Sequence, residues 1–208
     1  TSVGKTVASA ALMHRYRSVS PRYWKPIQTG IEQDDDTAVV RQLGACSEGE
    51  LLNDGIRLPG PVSPHLAAKL SHTEIQVEEL IRFIENSAAV NWIVEGAGGV
   101  LVPLNDSEFM IDLMVRLQLP VLVVSRAELG TINHTLLTLE ALRTRALRIA
   151  GVVMVGVRNA GNRAAIEHYG NVAVLGEMPE LPSLTSESVA HWAGAELDPS
   201  GILRNCFQ

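Results

Sequence analysis

The stretch Trp92–Leu104, WIVEGAGGVLVPL, limits what this chain can fold into more than any other. Trp92, Ile93 and Val94 form an apolar, β-favouring run suited to a strand buried on both faces. The run stops at Glu95, which is followed by Gly96, Gly98 and Gly99. In an open parallel sheet, ligands bind beyond the carboxyl ends of the strands, so Glu95 falls where a metal or a phosphate-bound cation would sit. The glycines let the backbone approach a ligand closely and bare its N–H groups. A plainer reading is a tight turn after a strand with a solvated glutamate, and this stretch alone does not separate the two.

The first residues, TSVGKT, are followed by VASAALMHRY, which has the Ala, Leu and Met content of a helix. Gly4, Lys5 and Thr6 then lie at a helix start and form the closing half of the phosphate-binding loop GxxxxGK[ST]. In that loop backbone amides cradle phosphates, the lysine reaches the β and γ oxygens and the hydroxyl ligates Mg²⁺. The residues Ser2, Val3, Gly4, Lys5, Thr6 and Val7 are therefore the candidate nucleotide-binding set. A GKT tripeptide alone is weak, and an exposed lysine on a first turn is its plain alternative. Such a loop needs a strand to hold it, so the sequence predicts about ten further residues upstream of Thr1 carrying a strand central in the sheet, with a damaged copy as the alternative.

Arg22–Pro26 reads as a short strand stopped by Pro26, with IQTG as its outgoing loop. Lys25 thus stands at a second strand end, either solvated or holding an anion, and Thr29 adds a hydroxyl nearby. The run Asp34-Asp35-Asp36 precedes the helical TAVVRQLG. Asp34 or Asp35 suits a helix cap, and all three are favoured by the helix dipole by about 0.3–1 kcal/mol each. Alternatively one of them shares Mg²⁺ with Thr6 and Glu95, since that ion takes oxygen ligands from one or two carboxylates plus substrate phosphates. Spacing does not choose among the three.

Residues 45–64 read as loop. Pro64 suits the first turn of a helix capped by Ser63, and a second helix is predicted from Thr73, with Thr73-x-x-Gln76 as a capping box. His65 and His72 read as helix-end residues. Helices are predicted over Glu108–Gln118, from Thr131, over Asn162–Tyr169 and over Ser186–Glu196. Strands are predicted over Pro120–Ser125, Leu147–Val157 and Val172–Leu175. Gly130 to Asn133 would make a second anion-accepting helix start, or simply a capped one. The alternation predicts one α/β domain with a doubly wound, mostly parallel sheet flanked by helices.

A net charge of −6 over 208 residues argues against broad binding to nucleic acid or an anionic membrane. Any phosphate must be caught by a few placed cations and amides. No apolar run approaches the roughly 18 residues that span a bilayer. Cys46 and Cys206 sit in no metal-ligand spacing, so the reducing cytoplasm is the default compartment.

TSVGKT, the WKPIQTG loop and VEGAGG followed by VPL together resemble dethiobiotin synthetase. SPH at 63–65, LPVLVV at 119–124, LGTINHTLLT at 129–138 and LGEMPEL at 175–181 fall in that family's order, so the resemblance covers nearly the whole chain. It implies a phosphate-loop homodimer in the cytoplasm that closes a ureido ring on 7,8-diaminononanoate using CO₂, ATP and Mg²⁺. Lys5 and Lys25 would be catalytic, on either side of the transferring phosphoryl group. Thr6, Asp36 and Glu95 match the metal positions, Asp36 because the family's aspartate directly precedes this helix. Thr1, Thr29 and Gly98 match the substrate side. Gly130, Thr131, Ile132 and Asn133 would take the substrate's distant carboxylate across the dimer interface, and Pro179 and Leu181 would flank the base. The family's adenine-reading amide is replaced by Val155-Gly156, with Asn159 displaced.

Three other readings compete: a second enzyme, a nucleotide-driven switch, and a catalytically dead relative kept as a binding module. A cobyrinic-acid amide synthase shares this nucleotide domain but needs a glutaminase domain with a cysteine nucleophile, which nothing here supplies. A partition or site-selection ATPase carries Lys-Gly-Gly-Val-Gly-Lys-Thr, where this chain has Thr1 and Ser2 at the Gly-Gly places.

Overall fold

The computed structural model describes residues 3–87 and 91–207. In chain order the elements are α1 (Lys5–Arg15), β1 (Arg22–Trp24), β2 (Ile27–Thr29), α2 (Asp36–Leu43), β3 (Leu51–Leu52), β4 (Ile56–Leu58), α3 (Pro64–Leu70) and α4 (Val77–Glu85). There follow β5 (Trp92–Val94), α5 (Met110–Leu117), β6 (Val121–Arg126), α6 (Thr131–Thr144), β7 (Ile149–Val155), α7 (Ala160–Gly170), β8 (Val174–Met178) and α8 (Ser186–Glu196). Every strand pairing is parallel, as the alternation with helices requires.

The strands bury both faces, and their alternation sorts side chains into two helical layers. In β7, Val153 and Val155 pack with Ala10, Ala11, Val189 and Trp192 of α1 and α8, while Val152 and Met154 pack with Leu139, Leu142 and Ile166 of α6 and α7. In β1, Tyr23 joins Met13 and Val40 of the α1–α2 layer, while Trp24 joins Leu80 and Leu113 of α4 and α5. Residues of one parity therefore share a face, a rule that places the site described below.

The parallel, helix-flanked architecture is the predicted one, and its hydrogen-bonded strands are ordered β3-β1-β5, β2-β4 and β6-β7-β8. Between β5 and β6 lies a cavity of about 850 Å³, lined by Ala8, Ser9 and Leu12 of α1, Ile93 of β5 and Val123 of β6.

Several local expectations are corrected. The IQTG loop is strand β2, and two short strands, β3 and β4, lie within the predicted 45–64 loop. Both segments are short enough for Pro and Gly to dominate their sequence signal. No capping box forms at Thr73; the helix begins at Val77 behind Gln76, which makes no side-chain cap. The strand predicted over Val172–Leu175 runs instead from Val174 to Met178, because glycine and glutamate inside it hide the pattern. The terminal helix has the predicted bounds, Ser186–Glu196.

Asp198 ties the end of the chain to α1. It is fully buried and accepts hydrogen bonds from Tyr16 Oη and from the amides of Ile202 and Leu203, both at 2.8 Å. In Asp198→Asn, an NH₂ group must face one of these donors. The variant is expected to lose about 2 kcal/mol, read as a lower urea midpoint at unchanged m-value.

Candidate active site

The site forms where β1, β5 and α1 end or begin together. Gly4 precedes α1 with φ +91°, and a Cβ there would stand 3.0 Å from Cγ1 of Val155, so both backbone conformation and space require glycine. The first turn of α1 contains no acidic residue and no side-chain cap, leaving its amides open to an anion. Lys5 and Thr6 open the helix at this point.

β1 and β5 pair in parallel with Trp24 opposite Val94, so the residues that follow, Lys25 and Glu95, are neighbours at the sheet's carboxyl edge. Lys25 Nζ lies 2.9 Å from Glu95 Oε1 and 2.7 Å from Asp36 Oδ2. Both Lys25 and Glu95 are buried, at 3% and 4% exposure, so each charge depends on the other. Asp36, the first residue of α2, is half-buried, whereas Asp34 and Asp35 are exposed and Asp35 caps the helix through Ala38 N. The structure thus separates the three aspartates that the sequence left equivalent.

Thr6 Oγ1 stands 2.7 Å from Asp36 Oδ1 and 2.9 Å from Glu95 Oε1. A hydroxyl has a single proton, so it cannot donate fully to both carboxylates at once. Three oxygens crowded at this spacing suit a small hard cation, because octahedral Mg²⁺ at about 2.0–2.1 Å sets neighbouring ligand oxygens about 2.9 Å apart. Among the described residues no group of three or more His, Cys, Asp or Glu could hold a metal by itself. Two carboxylates and a hydroxyl fit Mg²⁺ in the mode where nucleotide phosphates and water complete the shell.

Burial, and then the charge of Lys25, lower the pKa of Lys5, partly offset by Glu95 and Asp36. For Asp36, burial pushes upward but is outweighed by the charge and hydrogen bond of Lys25 and by Thr6, so its pKa is lowered. A lysine whose folded pKa is depressed binds fewer protons folded than unfolded between its two pKa values, so its charge costs stability below that window and the cost lifts as pH rises through it. Phosphate binding favours the protonated form. Nucleotide affinity is therefore expected to fall on the alkaline side before pH 10.5, with proton uptake on binding in that range; calorimetry in buffers of different ionisation heat checks this. In Lys5→Arg the alkaline fall should move to higher pH.

Val3, Lys5, Glu95, Gly98 and Thr131 line the cavity between β5 and β6, whereas Thr6, Lys25 and Asp36 lie outside its lining. Gly98 has φ +74°, and Gly130 caps α6 with φ +94° and no side-chain cap, which leaves a second helix start open to an anion. Thr131 is buried with its hydroxyl unpartnered, Asn133 is exposed, and Ile132 packs into the α6–α7 layer. Thr29 ends β2, half-buried. Pro179 follows β8 directly, and Leu181 packs in one cluster with Val7 and Val155. Thr1 and Ser2 lie outside the described residues.

Sequence reasoning missed Gln28, whose buried side chain donates to Thr29 O and Asp34 O and so holds the loop that delivers Asp36. It also missed Ser9 and Tyr23, both bonded to Glu95. Their signal was spacing: Ser9 shares a helix face with Thr6, and Tyr23 a strand face with Lys25.

The family model described as an AAA domain matches residues 1–188. The septum site-determining protein MinD of Pyrococcus horikoshii, complexed with Mg-ADP, superposes with a TM-score of 0.54 over 93% of this chain and 90% of that one. At 14% identity this likeness speaks for the fold alone. The ATP-dependent dethiobiotin synthetase BioD of Paramagnetospirillum magneticum is 46% identical over 91% of this chain and 89% of its own length. That of Brucella melitensis is 42% identical over 92% and 87%. With this identity carried over almost the full length of both proteins, the chain belongs to the ATP-dependent dethiobiotin synthetase family.

Proposed function

We propose that this chain, acting as a single nucleotide-binding domain, is an ATP-dependent ligase that makes dethiobiotin from 7,8-diaminononanoate and CO₂, releasing ADP and phosphate. The observation that carries the reading is the mutual contact of Thr6, Asp36, Lys25 and Glu95, with Lys5 within electrostatic reach of them, in a chain 46% identical to a synthetase of that name.

One substrate amine adds to CO₂ and loses a proton, giving a carbamate. A carbamate oxygen attacks the γ-phosphorus of ATP and ADP leaves. The second amine then attacks the carbonyl carbon of the mixed anhydride and loses a proton, the C–O bond to phosphate breaks, phosphate departs, and the ureido ring closes. Every intermediate is anionic and no step needs a side-chain nucleophile, so catalysis rests on positioning and charge neutralisation. The open amides of α1 and the Lys5 ammonium receive the phosphates. Lys25, held by Glu95 and Asp36, presents its charge from the opposite side, toward the carbamate and the transferring group. Thr6, Asp36 and Glu95 would hold Mg²⁺, which supplies positive charge at the phosphoryl oxygens when bound. Gly98 lets the substrate approach the backbone. The uncapped start of α6, Gly130 to Asn133, receives the distant carboxylate.

The same reading includes a homodimer in the cytoplasm. Leu129 is fully exposed and Leu137 is 55% exposed, both on or beside α6, and such side chains favour a covering partner. In Leu137→Arg, sedimentation is expected to show a shift to monomer with a raised KM for the diamine.

The deciding experiment is phosphate release with ATP, Mg²⁺ and bicarbonate, with and without 7,8-diaminononanoate. Release that depends on the diamine, one ureido product per phosphate, is expected. Release indifferent to the diamine would overturn the reading in favour of a nucleotide-driven switch.

A further inference from the structure

Glu95 is gripped from two sides. Its Oε1 faces the site and accepts from Thr6 Oγ1 and Lys25 Nζ, both at 2.9 Å. Its Oε2 faces away and accepts from Ser9 Oγ at 3.1 Å and Tyr23 Oη at 3.0 Å. Ser9 and Tyr23 take both lone-pair directions of Oε2, whereas Oε1, toward which Thr6 shares its single proton with Asp36, keeps a direction open to a cation.

Ser9 and Tyr23 are buried, at 6% and 0% exposure. Ser9 stands one helical turn beyond Thr6, and Tyr23 stands two residues before Lys25, so each pair shares a face. Ile93 and Glu95 have the parity of Tyr23, which directs all of them toward the α1–α2 layer. The Tyr23 phenol has one proton and gives it to Oε2. Without these two hydroxyls, Oε2 is free to swing toward Lys25, and a doubly bonded lysine would compete with any cation for the carboxylate.

We propose that Tyr23 and Ser9 are positioning residues: they hold Oε2 and thereby preset Oε1 of Glu95 as a single-oxygen ligand for the divalent cation that accompanies the nucleotide. The inference rests on the metal assignment made for the proposed ligase. Outer-shell groups of this kind typically govern metal affinity by about 10–100-fold.

The test is titration of the full chain with Mn²⁺ in the presence of ADP, read by electron paramagnetic resonance of the free ion. Tyr23→Phe keeps the ring and removes the hydroxyl. It is expected to weaken Mn²⁺ binding about 10-fold or more, with a smaller loss in Ser9→Ala, while affinity for ADP without metal changes less than about twofold. Met13→Leu, in the same core cluster as Tyr23, is the control: it should lower Tm and leave Mn²⁺ affinity unchanged. Mn²⁺ affinity unchanged in both Tyr23→Phe and Ser9→Ala overturns the proposal. So does a loss matched by Met13→Leu, or a wild-type protein that takes up no Mn²⁺ with ADP. If Tyr23→Phe fails to fold, Ser9→Ala carries the test. A protein that shows the predicted losses yet forms no dethiobiotin keeps the clamp and loses the ligase reading, so the two failures are distinct.

Discussion

Replacing Lys5 by methionine is expected to cut the rate of ring closure about 10²–10³-fold while leaving the fold as stable as before, or slightly more so. The rate falls because this ammonium is the cation at the phosphate-receiving start of α1, aimed where charge is transferred. Methionine keeps most of the stem and drops the charge. Stability holds because the Lys5 charge is already disfavoured in the folded protein, first by burial and then by Lys25. Single-turnover kinetics and thermal melting of the same preparation check both halves. A Tm that falls together with the rate would contradict this account.

Lys25→Met is expected to lose activity on a similar scale and stability as well. Lys25 is 3% exposed and is the cation that Asp36 and Glu95 share, at 2.7 and 2.9 Å. Its removal leaves Glu95, 4% exposed, beside Asp36 with no neutralising partner between them. Breaking a buried pair from one side typically costs about 3–5 kcal/mol, because the remaining charge stays desolvated. Denaturant unfolding should show that loss. Mg²⁺ with ADP should restore part of it, since a bound cation takes over the neutralisation. The two lysines therefore differ in kind. Lys5 is held at a cost to the fold, which the proposed ligand contact would offset, whereas Lys25 is an ion-pair partner that the fold itself needs.

Of the candidate site, the helix start at Gly4, Lys5 and Thr6 was legible because conformation, charge and hydroxyl fall on consecutive residues. Lys25 and Glu95 were legible as strand ends, since an apolar run that stops at a charge marks the carboxyl edge of a parallel strand. The choice of Asp36 over Asp34 and Asp35 came only from family resemblance. In the structure Asp36 is the aspartate of the three that meets Thr6 and Lys25.

The short strands β2, β3 and β4 escaped the sequence reading because 2–3 residues carry too little periodicity to stand out against neighbouring Pro and Gly. Gln28, Ser9 and Tyr23 escaped it for another reason. Each looks like an ordinary core or loop residue until the partner is known, and the partners lie 72 and 86 positions away for the hydroxyls that grip Glu95.

The sequence by itself determined which side chains were available and which face each would occupy, because helical and strand periods are local properties of the chain. Only the tertiary structure decided that Thr6, Lys25, Asp36 and Glu95 would share one set of oxygens and one buried charge. That outcome depends on the parallel pairing of β1 with β5 and on the docking of α1 and α2 against them, contacts between segments far apart in the chain, where local periodicity carries no information.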